Sequence, residues 1–428
     1  MSNFFAVLKK IFKDRDLRKK TLIVLALFLV FRFLAHIPVS GVNLNQLRAL
    51  FEQNQFLGLI NLLGGGTLAN FSVLAVGIGP YIYASIVMQL ATQIYPKLEE
   101  LQKEGQYGRQ KINQYTRYIT IPLAVLQSIG MYALLRSQGL IANLDPFLLI
   151  TFVTTLVAGT MVILWLGELI SEQNIGNGIS LIIFAGIVGS LPTALGQAFT
   201  AITPDQMINY GLIGAATFGL IAAIVYVTEA VRKVPVIYAR RIRGGKSESA
   251  QQTFLPLRLN SAGVVPIIFA ISLVLLPSLL ANYFIASNNA ALAGVGQFLA
   301  VNFATTSITY NVVYFLMVFG FTYFYTAIVV NPQKVSEDIQ EGGGFIPGIR
   351  PGKPTANYLN FIVTRITLVG GLFLGLVAII PNILQSMTGV QALLVGGTSV
   401  LIVVSVVIET VKIFQTQLVT RSYERFNL

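Results

Sequence analysis

Long apolar stretches separated by short polar segments recur along the whole 428-residue chain. Crossing roughly 30 Å of hydrocarbon takes about 20 apolar residues in a helix, because lipid offers no partner to backbone N–H and C=O groups. Ten stretches meet that need, over approximately residues 21–38, 73–94, 117–136, 147–169, 179–196, 207–228, 262–284, 309–330, 363–384 and 391–411. They predict ten transmembrane helices. Glycine clusters interrupt the pattern at Gly64-Gly65-Gly66 before the second stretch, at Gly176-Asn177-Gly178 where the fifth opens, and at Gly396-Gly397 inside the tenth. The first stretch lacks a small-residue cleavage site, so it is expected to be a retained span and not a signal peptide.

Composition points to the same solvent. Charged residues make up 11% of the chain, against about 25% in soluble domains, whose surfaces must be hydrated. Their placement then sets orientation, since short basic loops resist translocation. Of the 29 Lys and Arg residues, only Arg48 and Arg136 fall in connections of one side, and Arg32 falls inside a span. All others lie in the amino-terminal arm, the even-to-odd connections and the tail, which places both termini in the cytoplasm. The net charge of +12 therefore chiefly reflects topology, although a basic cytoplasmic face also attracts polyanions.

Loop lengths suggest two halves. The long connection near 39–72 is external, and its counterpart near 229–261 is cytoplasmic, as two five-helix units of opposite orientation would require. The predicted organisation is a cytoplasmic arm (1–20), a first half (21–206), a second half (207–411) and a cytoplasmic tail (412–428). Inverted repeats place a functional site near midplane between the halves.

Several chemistries lack their residues. There is no cysteine and one histidine, His36, so disulfides, thiolate metal sites and a cysteine nucleophile are excluded. Gly244-Gly245-Lys246-Ser247 resembles the end of a phosphate-binding loop, but Arg240 stands where the first glycine is required. Arg32, His36, Glu168, Glu229 and Glu409 lie towards span ends, where side chains snorkel to the interface. A coupled transporter is expected to bury charge at midplane, so an inverted-repeat secondary transporter for a small solute is the weaker alternative to a largely apolar passage.

Seven segments in order then carry a resemblance: FRFLAHIPVSGVN (31–43), INLLGGGTLANFSVLAVGIGPYIYASIVMQL (60–90), EGQYGRQKINQYTRY (104–118), WLGELISEQNIGNGISLIIFAGIV (165–188), LPLRLNSAGVVPIIFA (255–270), GGFIPGIRPGKPT (343–355) and GGTSVLIVV (396–404). Together they resemble the SecY family, the central subunit of the Sec protein-conducting channel. The resemblance implies an all-α polytopic fold, ten helices in two inverted pseudo-symmetric halves around an hourglass pore. It implies a non-enzymatic channel that passes unfolded polypeptides across the cytoplasmic membrane and releases apolar helices sideways into lipid, with no cofactor.

By local motif, the family's pore ring falls on Ile78 and Ile82, Ile179 and Ile183, Ile268 and Ile402. A ring of branched aliphatic side chains disfavours a continuous water column and selects no particular sequence. The plug falls near 58–71, including Asn61, Leu62, Leu63, Gly64, Gly65, Gly66, Thr67 and Leu68. The lateral gate is expected between spans two and three and spans seven and eight, with Tyr83, Gln127, Asn260 and Leu276 on its seam. Tyr83 and Gly79 depart from the family pattern, which usually has a small polar residue at the first position and a larger residue at the second. Docking of a motor or ribosome is expected on cytoplasmic loops near 229–261 and 331–362, through Arg240, Arg241, Arg243, Lys246 and Arg350. The implied partners are the small SecE and SecG subunits, the SecA motor ATPase, the ribosome with its RNA, a signal-bearing preprotein or nascent chain, and membrane lipid.

Overall fold

The computed structural model describes residues 14–39, 67–68, 70–137, 139, 141, 144–200, 207–238, 251–285, 289–304, 307–388 and 397–426. Among them the helices, in chain order, are α1 (Arg15–Leu34), α2 (Gly79–Ile94), α3 (Pro96–Lys103), α4 (Gln106–Ser137), α5 (Pro146–Glu172), α6 (Gly178–Thr200) and α7 (Met207–Glu229). Strands β1 (Val231–Tyr238) and β2 (Gln251–Arg258) follow, then α8 (Val265–Ile285), α9 (Ala290–Asn302), α10 (Ile308–Val329) and α11 (Pro332–Glu341). The short strand β3 (Gly344–Phe345), α12 (Lys353–Thr388) and α13 (Gly397–Phe426) complete the order.

A helix falls on each of the ten apolar stretches: α1, α2, α4, α5, α6, α7, α8, α10, α12 and α13. By length and hydropathy alone, α5, α7, α10, α12 and α13 suffice to cross a bilayer. The second stretch is only partly helical. It opens as a buried turn over 72–78, and the helix starts at Gly79, with Pro80 in its first turn where a missing N–H does no harm.

Burial is confined to narrow stripes. On α1 the buried residues are Leu17, Val24 and Phe31, seven apart, while Leu22, Leu25, Leu29 and Phe33 face outward. On the more apolar α7 only Ile213, Leu220 and Ile224 are buried. Apolar residues over most of a helix circumference are the mark of a helix solvated by lipid. The inner stripes of α1, α2, α5, α6, α7, α8, α10, α12 and α13 merge into one hydrophobic cluster.

The connections add a small three-stranded sheet to the helical fold. β1 pairs antiparallel with β2 from Val231↔Arg258 to Tyr238↔Gln251, and β3 adds to the other edge through Ile237↔Phe345 and Tyr238↔Gly344. Side chains alternate across a strand, so Val234 and Val236 point to one side and are buried with Ile339, Ile346 and Leu359. This period of two is hidden when hydropathy is averaged over a span-length window. The sheet joins the 229–261 and 331–362 loops into one unit with a core of its own.

Two ion pairs tie helices together. Arg117, three turns into α4, pairs with Glu168 in the last turns of α5. Lys412 on α13 pairs with Glu229, the last residue of α7, at 2.8 Å.

Candidate functional site

The six isoleucines singled out above come from four helices and converge on one hydrophobic cluster. Ile78, Ile183, Ile268 and Ile402 are buried in it, and Ile82 and Ile179 pack against it. Local contacts set where those on α2, α6 and α8 lie.

Ile78 caps α2, and the Ile82 N–H donates to its carbonyl at 3.1 Å, so the pair lies on one face a turn apart. The buried turn leading into α2 rests on α5 so closely that a Cβ at Gly159 would stand 1.9 Å from Val73 O. At α6, Asn177 Oδ1 accepts from the N–H groups of Ile179 and Ser180 at 3.1 and 3.2 Å, a side-chain cap on otherwise unpaired donors. Gly178 N donates to Ser171 Oγ at 2.9 Å, and that hydroxyl donates to Gly167 O at 2.9 Å. A Cβ on Gly178 would lie 1.8 Å from Gly167 O, so only glycine lets the two backbones meet here. The Gly-Asn-Gly cluster thus seats α6 on α5 and sets where Ile179 and Ile183 lie. Before α8, Asn260 closes its own turn, donating from Nδ2 to Gly263 O at 3.2 Å and accepting from Gly263 N at 3.0 Å.

The seam between α2 and α8 is bridged by Tyr83, whose Oη donates to Ser272 O at 3.3 Å. Ser272 spends its own hydroxyl on Ile268 O, 2.7 Å away. Gln127 of α4 lies against α2, its amide 3.4 Å from where a Gly79 Cβ would stand. The two departures from the family pattern therefore face different neighbours: Tyr83 spans the seam to α8, and Gly79 lies beside Gln127 of α4. Asn260 is 7% exposed and engaged within its turn. Leu276 is half-buried, one helical turn beyond Ser272.

Of the residues expected to form a plug, Asn61, Leu62, Leu63, Gly64, Gly65 and Gly66 lie outside the described residues. Thr67 and Leu68 are buried, and Thr67 O accepts from Ser72 N at 3.0 Å. Leu68 joins a second cluster with Val39, Phe71, Leu135 and Phe152, in which the rings of Phe71 and Phe152 stack at 5.8 Å. This cluster holds the end of the segment expected to form the plug, Leu68 and Phe71, between α4 and α5.

Among the residues expected to dock a partner, Arg240, Arg241, Arg243 and Lys246 lie outside the described residues. Arg350 is exposed between Gly348 and Gly352, whose φ angles of +81° and +93° favour glycine. Thr355 Oγ1 donates to Arg350 O at 2.9 Å and Ser336 Oγ to Gly352 O at 2.8 Å, so the loop is held on both sides. Sequence reasoning missed the supports of the site: Ser171, Gly167, the carbonyl of Ser272 and the sheet beneath Arg350. Only the sheet had a signal, the alternation in VRKVPVIY.

Arg32 is turned inward, Nη2 donating to Gly189 O on α6 at 2.8 Å, and so does not snorkel freely as its place near a span end suggested. Among the described residues no group of His, Cys, Asp and Glu forms a metal site. A cavity of about 280 Å³ is lined by Arg258, Glu409, Lys412, Ile413, Thr416 and Gln417 and by none of the six isoleucines.

Fold and site together define a multi-pass helical membrane protein whose helices converge on a shared aliphatic centre. The SecY family model matches residues 72–411, and the chain belongs to the SecY family. The protein translocase subunit SecY of Streptomyces scabiei is 41% identical to it over 432 residues, covering 97% of this chain and 98% of the relative. Among solved structures, a protein-conducting channel superposes with a TM-score of 0.64 at 18% identity, covering 94% of this chain and 92% of that one. Sec61 in the canine ribosome-channel complex from the endoplasmic reticulum superposes with a TM-score of 0.59 at 19% identity over the same shares.

Proposed function

We propose that this chain is the channel-forming subunit of a protein translocase in the cytoplasmic membrane. It passes unfolded polypeptides through its centre and releases apolar helices sideways between α2 and α8. Family membership and the name of the Streptomyces relative support the channel over the solute-transporter alternative. The single observation that carries the mechanism is the convergence of six isoleucines from α2, α6, α8 and α13 on one cluster. Branched aliphatic side chains make a neck that water leaves and ions cannot cross, yet bind no particular sequence.

Ten spans with both termini in the cytoplasm fit the ion pairs. Arg117 and Glu168, and Lys412 and Glu229, each join borders of apolar stretches that the basic-loop rule assigns to one side. In this reading residues near 58–71 fill the external funnel at rest, and the Tyr83 to Ser272 bond is one latch on the lateral gate. Interhelical hydrogen bonds in membranes contribute about 0.6 kcal/mol on average, enough to bias a gate without locking it. The unit under Arg350 offers the docking face for SecA or the ribosome, with SecE and SecG as membrane partners. The canine neighbour was solved as a ribosome-channel complex.

Photo-crosslinking tests the reading. A probe at Ile183 or Ile402, with a stalled signal-bearing chain engaged, is expected to capture that chain, while a probe at the outward Phe218, 78% exposed, is not. Capture at Phe218 but not at the isoleucines would overturn the assignment.

A further inference from the structure

The connection between α8 and α10 contains the helix α9, which the hydropathy pattern did not predict as an element. Its 13 residues span about 20 Å, too short to cross a bilayer. It is nevertheless apolar on its outer side: Val295, Phe298 and Val301 are 49%, 65% and 71% exposed. Its inner side is fastened to α8. A Cβ on Gly296 would stand 2.8 Å from Ile285 N and 2.9 Å from Ala281 O, and Ser278 Oγ on α8 donates to Phe303 O at the end of α9 at 3.0 Å.

We propose that α9 lies within the membrane, its Val295, Phe298 and Val301 side among the acyl chains of the leaflet facing away from the cytoplasm. Three observations favour lipid as the occupant of that surface. No Asp, Glu, Lys or Arg occurs from Leu259 to Gln333, so nothing there demands hydration as a charge does. The flanking spans expose apolar residues at the ends next to α9 in the chain, Leu280 and Ile285 on α8 and Ile308 and Val312 on α10. A protein-binding patch is usually rimmed by polar side chains and enriched in Arg, and α9 offers only Asn289, Gln297 and Asn302. Interfacial helices normally carry a strongly polar second face; here that second face is taken by α8. Because α9 is fastened to α8, it anchors the outer half of one gate helix to the lipid beside it. The choice of leaflet rests on the orientation argued under Proposed function.

The chain has no native cysteine, so single cysteines at Val295, Phe298, Val301 and Asn289 can each carry a nitroxide in the assembled complex. The samples are vesicles of phosphatidylethanolamine and phosphatidylglycerol, probed with oxygen and with a water-soluble nickel chelate. The three outer positions are expected to collide with oxygen and be shielded from the chelate, with the opposite result at Asn289. Chelate access at Phe298 would put α9 in water, and shielding from both reagents would put a protein partner on it; either overturns the proposal. An impermeant thiol reagent added outside or inside sealed vesicles reports the side of Asn289 separately. A cytoplasmic Asn289 would refute the orientation and with it the leaflet, while lipid contact would still be read from the nitroxides.

Discussion

A methyl group added at Gly178 would land 1.8 Å from Gly167 O, on a backbone that cannot yield without moving α5. Gly178→Ala must therefore lift α6 away, breaking the Gly178 N to Ser171 Oγ bond and displacing Ile179 and Ile183. Overpacking of this kind costs about 1–3 kcal/mol. The variant is expected to unfold at a lower temperature in detergent, whereas Gly214→Ala, where a Cβ meets nothing within 4 Å, changes little. Equal losses in the two would refute the close-approach account. The sequence marked this cluster as an interruption, and glycine at close helix contacts is ordinary in membranes. It could not reveal the partner, because Gly167 and Ser171 lie on the preceding helix and are ordinary residues by type.

Helices were legible because lipid imposes one rule on every span; the elements between spans obey no such rule. All ten apolar stretches hold helices, while β1 and β2, with two-residue alternation, and α9, too short for a span, went unread. The proposed gate is likewise a matter of elements. Tyr83 on α2 reaches Ser272 on α8, and Leu276 lies one turn further along α8. Cysteines at Tyr83 and Leu276 in this cysteine-free chain are expected, once crosslinked by a short bifunctional reagent, to hold the two helices together. Signal-sequence entry and export should then stop and should recover when a cleavable crosslinker is cut. Full export with the crosslink intact would show that substrate does not leave between these helices.

For the molecule as a whole, the question is what keeps a passage wide enough for a polypeptide closed to ions. Nothing in composition or periodicity separates Ile82, Ile183 and Ile402 from the isoleucines that face lipid; only the family resemblance singled them out. The fold brings them to one cluster from α2, α6 and α13, and the start of α6 is set by contacts that do not involve the Ile183 side chain: the Asn177 cap and the seat of Gly178 on Gly167. Replacing all three with glycine should therefore remove the aliphatic lining while leaving the helices in place, and a wider, less apolar neck admits water. The triple variant is expected to conduct small ions at rest in planar bilayers. Glycine itself costs about 1 kcal/mol per helical position, so the matching control is a triple glycine variant at Leu29, Phe218 and Met387, exposed by 72%, 78% and 78%. The control bears the same backbone cost on the outer surface and should stay tight. If both conduct alike, the leak comes from loosened helices; if neither conducts, the seal lies elsewhere, and the aliphatic neck is not the barrier.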